Sequence, residues 1–217
     1  MALAPDTRQA RVDEILDAAA RLIRKRGDSN FTMRVLADEA GLSPATPFNL
    51  LGSKSGVFRA LLRRSLSTLE SAPSTHPIDR FFLSWELCAE LYASDEVYFR
   101  ALVIGSQIVP DAALLGMAIA ESLLTEAVAL GSLARNTPVR PFAENLDLMG
   151  VGILVLWSRG LLPSERLVAQ YHHGMAVMLS TVVTDESRAR VAKWLRSAER
   201  VLRALGPLGE ADGSAAT

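Results

Sequence analysis

Residues 32–54, TMRVLADEAGLSPATPFNLLGSK, leave the backbone few choices. Thr32 precedes an apolar-periodic run, where its hydroxyl can accept a bond from a free N–H of a first helical turn. Val35, Leu36 and Ala40 then share one helical face, whereas Arg34, Asp38 and Glu39 point elsewhere. Gly41 ends that helix, because a left-handed residue is cheap only for glycine. Ser43 is placed to cap a second helix, with Pro44 at its first position, where a missing N–H costs nothing. This helix runs from Ala45 to Leu51 and stops at Gly52. Pro47 falls near its first turn and predicts an irregular start. Ser53 caps the next helix, with Lys54 in its first turn. The spacing therefore predicts two short helices, a tight turn and a third helix close behind.

The order Thr32, Leu36-Ala37, Ala40-Gly41-Leu42-Ser43, Ala45-Thr46-Pro47-Phe48, Ser53-Lys54 resembles the N-terminal helix-turn-helix of TetR-type transcriptional repressors, over about Arg11 to Leu66. The resemblance implies an all-α chain, with an N-terminal three-helix DNA-binding domain and a larger C-terminal helical domain for ligand binding and dimerisation. It implies DNA contacts from Thr32, Arg34, Ser43, Pro44, Ala45, Thr46, Phe48, Asn49 and Lys54. Thr32 and Lys54 would take phosphate, and the residues at the start of the second helix would face base edges or the neighbouring backbone. The sequence departs from the family pattern at two positions. Phe48 replaces the usual Tyr and cannot donate a phenolic hydrogen bond to phosphate. Pro47 stands where Leu is common.

Charge placement fits a DNA-contacting head. Residues 1–70 carry 11 Lys+Arg against 8 Asp+Glu, and the remainder 12 against 16. Such a head is modestly basic and the body acidic. In the first helix, Val12, Ile15, Leu16, Ala19, Leu22 and Ile23 form an apolar stripe, and Arg24, Lys25 and Arg26 end it. In the helix after Ser53, Val57, Phe58, Leu61, Leu62 and Leu66 point inward. The Ser/Pro-rich stretch 71–77 places the domain boundary, giving a DNA-binding domain at 1–70 and a ligand-binding and dimerisation domain at 71–205. The body reads as six helical segments: 78–93, 95–109, 111–133, 141–161, 164–184 and 186–205. The Gly/Ala/Ser-rich tail 206–217 reads as disordered.

Within the body, large apolar side chains mix with a few isolated polar ones, the composition of a small-molecule pocket. Trp85, Cys88, Tyr92, Phe99, Val103, Gln107, Met117, Met149 and Trp157 are the candidate lining. Leu146, Met149, Gly150, Ile153, Leu154 and Trp157 recur at helical spacing, as do Leu167, Val168, Tyr171, Met175, Met178, Leu179 and Val182. Gly150, Gly152 and Gly174 permit close helix approach. These stripes are expected to pair two copies of the chain in a four-helix bundle.

Other function classes find little support. Cys88 is the only cysteine, so there is no intrachain disulfide and no Cys-based zinc site. Adjacent His172 and His173 point about 100° apart and form no metal pair. No phosphate-binding, nucleophile-elbow or zinc-protease motif occurs. No catalytic residue, metal or cofactor is expected. The longest apolar run, about Leu148 to Trp157, is too short for the roughly 20 residues of a membrane span. A cytoplasmic homodimer that binds double-stranded DNA and a small apolar or amphipathic effector follows. The competing reading is a helical small-molecule-binding or protein-interaction module without DNA binding.

Overall fold

The computed structural model describes residues 5–68, 72, 74–106 and 111–208, with the side chains of 5, 6 and 111–115 left out. The described residues form ten helices: α1 Pro5–Arg26, α2 Met33–Glu39, α3 Ala45–Leu51, α4 Lys54–Leu66, α5 Pro77–Ser94, α6 Glu96–Ser106, α7 Asp111–Ala129, α8 Val139–Ser158, α9 Ser164–Leu179 and α10 Asp185–Ala204. The fold is all-α, with one isolated bridge pairing Leu133 and Val183 among the described residues.

The chain divides into two compact units. The first joins residues up to 69 with 95–112, and the second holds 70–94 and everything from 113 onward. α6 therefore belongs with α1–α4, although α5 precedes it in the chain.

The core of the first unit follows from the amphipathic stripes. Ile15, Leu16, Leu22 and Ile23 of α1 are buried with Leu36 and Ala37 of α2 and with Val57, Phe58, Leu61 and Leu62 of α4. Phe31, just before α2, packs against Phe58 with ring centroids 5.5 Å apart. α6 adds Tyr98, Phe99, Leu102 and Val103 to the buried set. It approaches α4 at Gly105, where a Cβ would stand 2.7 Å from ring atoms of Phe58. The basic end of α1 is partly committed to this packing. Arg24 pairs with Asp95 at 3.0 Å and lies 4.1 Å over the Tyr98 ring.

The second unit buries one face each of α5, α8 and α9. Trp157 and Tyr171 are fully enclosed, and Phe82 stacks on Trp194 of α10 at 4.9 Å. The Trp157 indole donates to Ser164 Oγ at 2.8 Å, which anchors the end of α8 to the start of α9.

Several boundaries differ from those read in the sequence. The first helix begins at Pro5, and residues 1–4 lie outside the described residues. α7 stops at Ala129 rather than 133, because Gly131 takes φ +74 and turns the chain. Gly160, at φ +75, likewise closes α8. α9 ends at Leu179 rather than 184, since residues 182–184 bond across to 132–134. Thr184 spends its hydroxyl on the carbonyls of Gly131 and Ser132. Of the tail read as disordered, residues 209–217 lie outside the described residues.

Candidate nucleic-acid interface and effector site

α2 and α3 are held by the caps that their sequence supplies. Val35 N–H donates to Thr32 Oγ1 at 3.2 Å, and Gly56 N–H to Ser53 Oγ at 3.1 Å. Gly41 takes φ +67, and Leu42 N–H closes the turn onto the Ala37 carbonyl at 2.9 Å. The start of α3 departs from expectation. Ser43 does not cap the backbone with its side chain. Its Oγ bonds Thr46 Oγ1 at 2.7 Å, while Thr46 N–H donates to the Ser43 carbonyl at 3.0 Å. Pro44 occupies the cap position rather than the first helical one, and α3 runs from Ala45 to Leu51. Pro47 does not make the helix irregular. It is the third residue of a helix that runs unbroken from Ala45 to Leu51, so its absent N–H is one of the orphans of a first turn.

This geometry sorts the side chains of α3. Pro47 is buried, whereas Ala45, Phe48 and Asn49 are exposed along with Ser43 and Pro44, and Thr46 is half-buried. Phe48 is 51% exposed, unusual for a side chain with no partner of its own to cover it. Thr32 and Arg34 are also exposed. Thr32 spends an acceptor lone pair on its cap but keeps a hydroxyl hydrogen to donate. Lys54 is half-buried. Its Nζ lies 5.2 Å from the Phe31 ring centroid and 5.9 Å from that of Phe58. Burial lowers its pKa, and the charge of Asp28 offsets part of that shift.

A capped helix, a glycine turn and a second helix with one face left open form a helix-turn-helix reader, and residues 15–61 match the family model for bacterial regulatory proteins of the tetR family. The head of the chain, residues 15–61, is a TetR-type DNA-binding domain, and the protein is a DNA-binding transcriptional regulator. No curated protein sequence matches the chain.

Solved TetR-type structures share the fold over most of its length. Full-length native TylP, a TetR regulator from Streptomyces fradiae, is 17% identical, with 90% of this chain and 99% of that one covered and a TM-score of 0.61. A gamma-butyrolactone receptor (ArpA-like protein) is 20% identical, with coverage of 90% and 100% and a TM-score of 0.54. CprB from S. coelicolor A3(2) is 19% identical, with coverage of 88% and 97% and a TM-score of 0.52.

Part of the candidate effector lining comes together in the second unit. Trp85, Cys88 and Tyr92 lie on α5, Met117 on α7, and Met149 and Trp157 on α8. Trp85 stacks on Tyr171 of α9 at 5.5 Å, and Tyr92 lies 5.9 Å from Trp157. Burial pushes the Cys88 thiol up to about 11 and raises the Tyr92 phenol above its ordinary range. Phe99 and Val103 belong to the other unit, where α6 buries them. Gln107 lies outside the described residues.

The sequence reading passed over Asp147, a buried acid on α8, and over Gly116, which faces it from α7. A lone carboxylate inside the apolar run from Leu146 to Trp157 was the available signal. A separate open groove, lined by His173, Glu199, Leu202, Arg203, Gly206 and Pro207, includes none of the expected lining. Among the described residues, no cluster of His, Cys, Asp or Glu could hold a metal, and no helix is long and apolar enough to cross a membrane.

The stripes expected to pair two chains are largely consumed inside one chain. Leu146, Gly150, Ile153, Trp157, Leu167, Tyr171, Met175 and Leu179 are all buried. Gly150 is needed within the chain, since a Cβ there would stand 3.2 Å from Tyr171 Cε1, and a Cβ at Gly174 would collide with Met149 Sδ. Gly152 is different: nothing lies within 4 Å of the place its Cβ would take. It sits between the exposed Leu148 and Leu156, four residues from each. The outward apolar line of α8 therefore runs through 148, 152 and 156, one register away from the stripe read in the sequence.

Proposed function

We propose that this protein is a repressor that binds a palindromic operator as a homodimer and is released from it by a small apolar or amphipathic effector. The observation that carries the reading is the exposed face of α3. Ala45, Phe48 and Asn49, with Ser43 and Pro44 before them, serve no packing role and are free to enter a major groove. Thr32 and Lys54 take phosphate at its margin. One such helix reads only a few base pairs. A two-fold dimer reads two half-sites whose centres lie about 34–36 Å apart, or a multiple of this.

The line Leu148, Gly152, Leu156 supports α8 as a dimer surface, because apolar side chains flank a glycine whose smallness serves nothing within its own chain. The aromatic interior of the second unit supports an effector site. So does the fold shared with a protein described as a gamma-butyrolactone receptor. The effector lowers DNA affinity only by as much as it prefers the state that cannot bind DNA.

Selection of bound sequences from a random duplex library, at two salt concentrations, tests the reading. Enrichment of a palindrome is expected. A folded dimer that enriches no sequence overturns it and favours a small-molecule-binding or protein-interaction module.

A further inference from the structure

The stretch from the turn to the end of α3 carries no charge. Every residue from Ala40 to Ser53 is uncharged, between Glu39 and Lys54. The open face of α3 is built from three groups of different chemistry: the Ala45 methyl, the Phe48 ring and the Asn49 amide, at positions i, i+3 and i+4 of the helix. Two hydroxyls stand near them, but Ser43 Oγ and Thr46 Oγ1 bond each other at 2.7 Å, which leaves one hydroxyl hydrogen between the pair. Arg34 is exposed but stands on α2, the helix that crosses the DNA backbone in a helix-turn-helix. Lys54 is half-buried, with its ammonium over the Phe31 and Phe58 rings.

The major groove sorts bases by the groups they present. Guanine shows two acceptors and is read by a cationic side chain, whereas cytosine shows a donor and is read by a carboxylate. α3 has neither. Adenine shows a donor beside an acceptor, which a side-chain amide matches with both of its ends. Asn49 is the one amide between Ala40 and Ser53. Thymine shows a methyl group, which apolar side chains cover. Phe48 has no hydroxyl to offer a phosphate. Its ring, 51% exposed, gains from leaving water only against another apolar surface, and the thymine methyl is the one that the groove supplies.

We infer that α3 reads A·T base pairs: the Asn49 amide pairs with an adenine edge, and the Phe48 ring, with the Ala45 methyl, packs on the methyl groups of neighbouring thymines. The inference rests on the placement of α3 in the major groove proposed above. Recognition of the half-site then depends on thymine methyls and an adenine rather than on guanine.

The operator obtained by library selection, bound to the full chain, provides the test. Base analogues are placed in one half-site, one position at a time, and binding is read by fluorescence anisotropy. Deoxyuridine keeps every hydrogen-bonding group of thymidine and lacks only the methyl, whereas 7-deazaadenine loses only the N7 acceptor. Deoxyuridine at the position that meets Phe48 is expected to weaken binding about fourfold, the worth of one buried methyl group. The deaza base at the position that meets Asn49 is expected to weaken it about tenfold. Phe48→Ala should bind the thymine and uracil operators alike. Asn49→Ala should become indifferent to the deaza base and keep the uracil penalty. The native protein on analogue DNA decides the matter even if a variant fails to fold. Native binding that is unchanged by deoxyuridine at every position overturns the inference, as does a half-site whose costliest positions are G·C. Either result leaves the palindrome reader standing, since a palindrome has still been enriched. If no sequence is enriched, that reading and this inference fall together.

Discussion

His172 sits 6% exposed on α9, edge-on to Phe82 and Trp194. Burial pulls its pKa down to about 4, and a hydrogen bond with the Phe82 backbone opposes only part of this. Between pH 6.5 and 4 the unfolded chain therefore takes up a proton that the folded chain refuses, and stability falls as pH drops through that window. By pH 5 the loss is up to about 2 kcal/mol, at about 1.4 kcal/mol per pH unit. Asp147 acts in the opposite sense. Its raised pKa lets the folded chain hold a proton below about pH 6 that the unfolded chain releases, so its unfavourable charge is relieved as pH falls. The two partly cancel in the native protein. Asp147→Asn should raise the urea midpoint at pH 7.5 and steepen its fall between pH 7.5 and 5, and adding His172→Gln should flatten that fall. An unchanged pH dependence in both variants counts against these buried states. The state of His172 was not legible in the sequence, where it was one of two adjacent histidines with no metal partner. Its rings of contact come from α5 and α10, far away in the chain.

Lys54 shows how a sequence motif can under-describe a residue. Its place after Ser53 predicts a phosphate contact, yet its ammonium lies over Phe31 and Phe58. Lys54→Ala should weaken binding to every DNA sequence by a similar factor and lower the slope of log affinity against log salt by about 0.9, the share of one phosphate. It should also cost about 0.5–1 kcal/mol of stability through the lost cation–π contact. An unchanged salt slope, with only the stability loss, would assign Lys54 to packing rather than to DNA.

At the scale of elements, the helices and their caps were legible because their signals are local. Thr32, Gly41, Gly52 and Ser53 act within four residues, and each does what its position predicts. Ser43 did not, because a neighbouring hydroxyl on Thr46 competed for its oxygen. The long body helices were overrun at their ends because Gly131 and Gly160 were read as helical residues rather than as stops. The placement of α6 was not legible at all. Nothing local marks Glu96–Ser106 as part of the unit that holds α4, and the contact that reveals it, Gly105 against Phe58, spans 47 residues of sequence. Gly105→Ala is a direct test of that packing. The added methyl would stand 2.7 Å from Phe58, whose ring is fully buried and cannot swing aside. Overpacking costs about 1–3 kcal/mol, and the better helix propensity of Ala returns up to about 1 kcal/mol. A net loss in the urea midpoint is expected, and a gain would mean that α6 and α4 are less closely engaged.

For the whole molecule, the dimer and the charge distribution make a joint prediction. The basic residues are weighted toward the head, so two heads on one DNA double the phosphate contacts while the acidic bodies add none. Leu148 is 68% exposed and Leu156 38%, with Gly152 open between them. Leu148→Glu places a charge at the end of that line, where pairing α8 with its copy would have to bury it unpaired. The variant should sediment as a monomer at concentrations where the native protein is a dimer. Leu148 is mostly exposed within its own chain, so helical content and urea midpoint, measured as monomer, should hold. Its affinity for a single half-site should match that of a native head, and its affinity for the full palindrome should fall to that of the half-site. The salt slope on the palindrome should then drop by half, since each molecule neutralises half as many phosphates. A dimeric Leu148→Glu would move the interface off this face of α8. A monomer that kept the full slope would mean that one head alone makes all the phosphate contacts, and the two-fold reading of the operator would go with it.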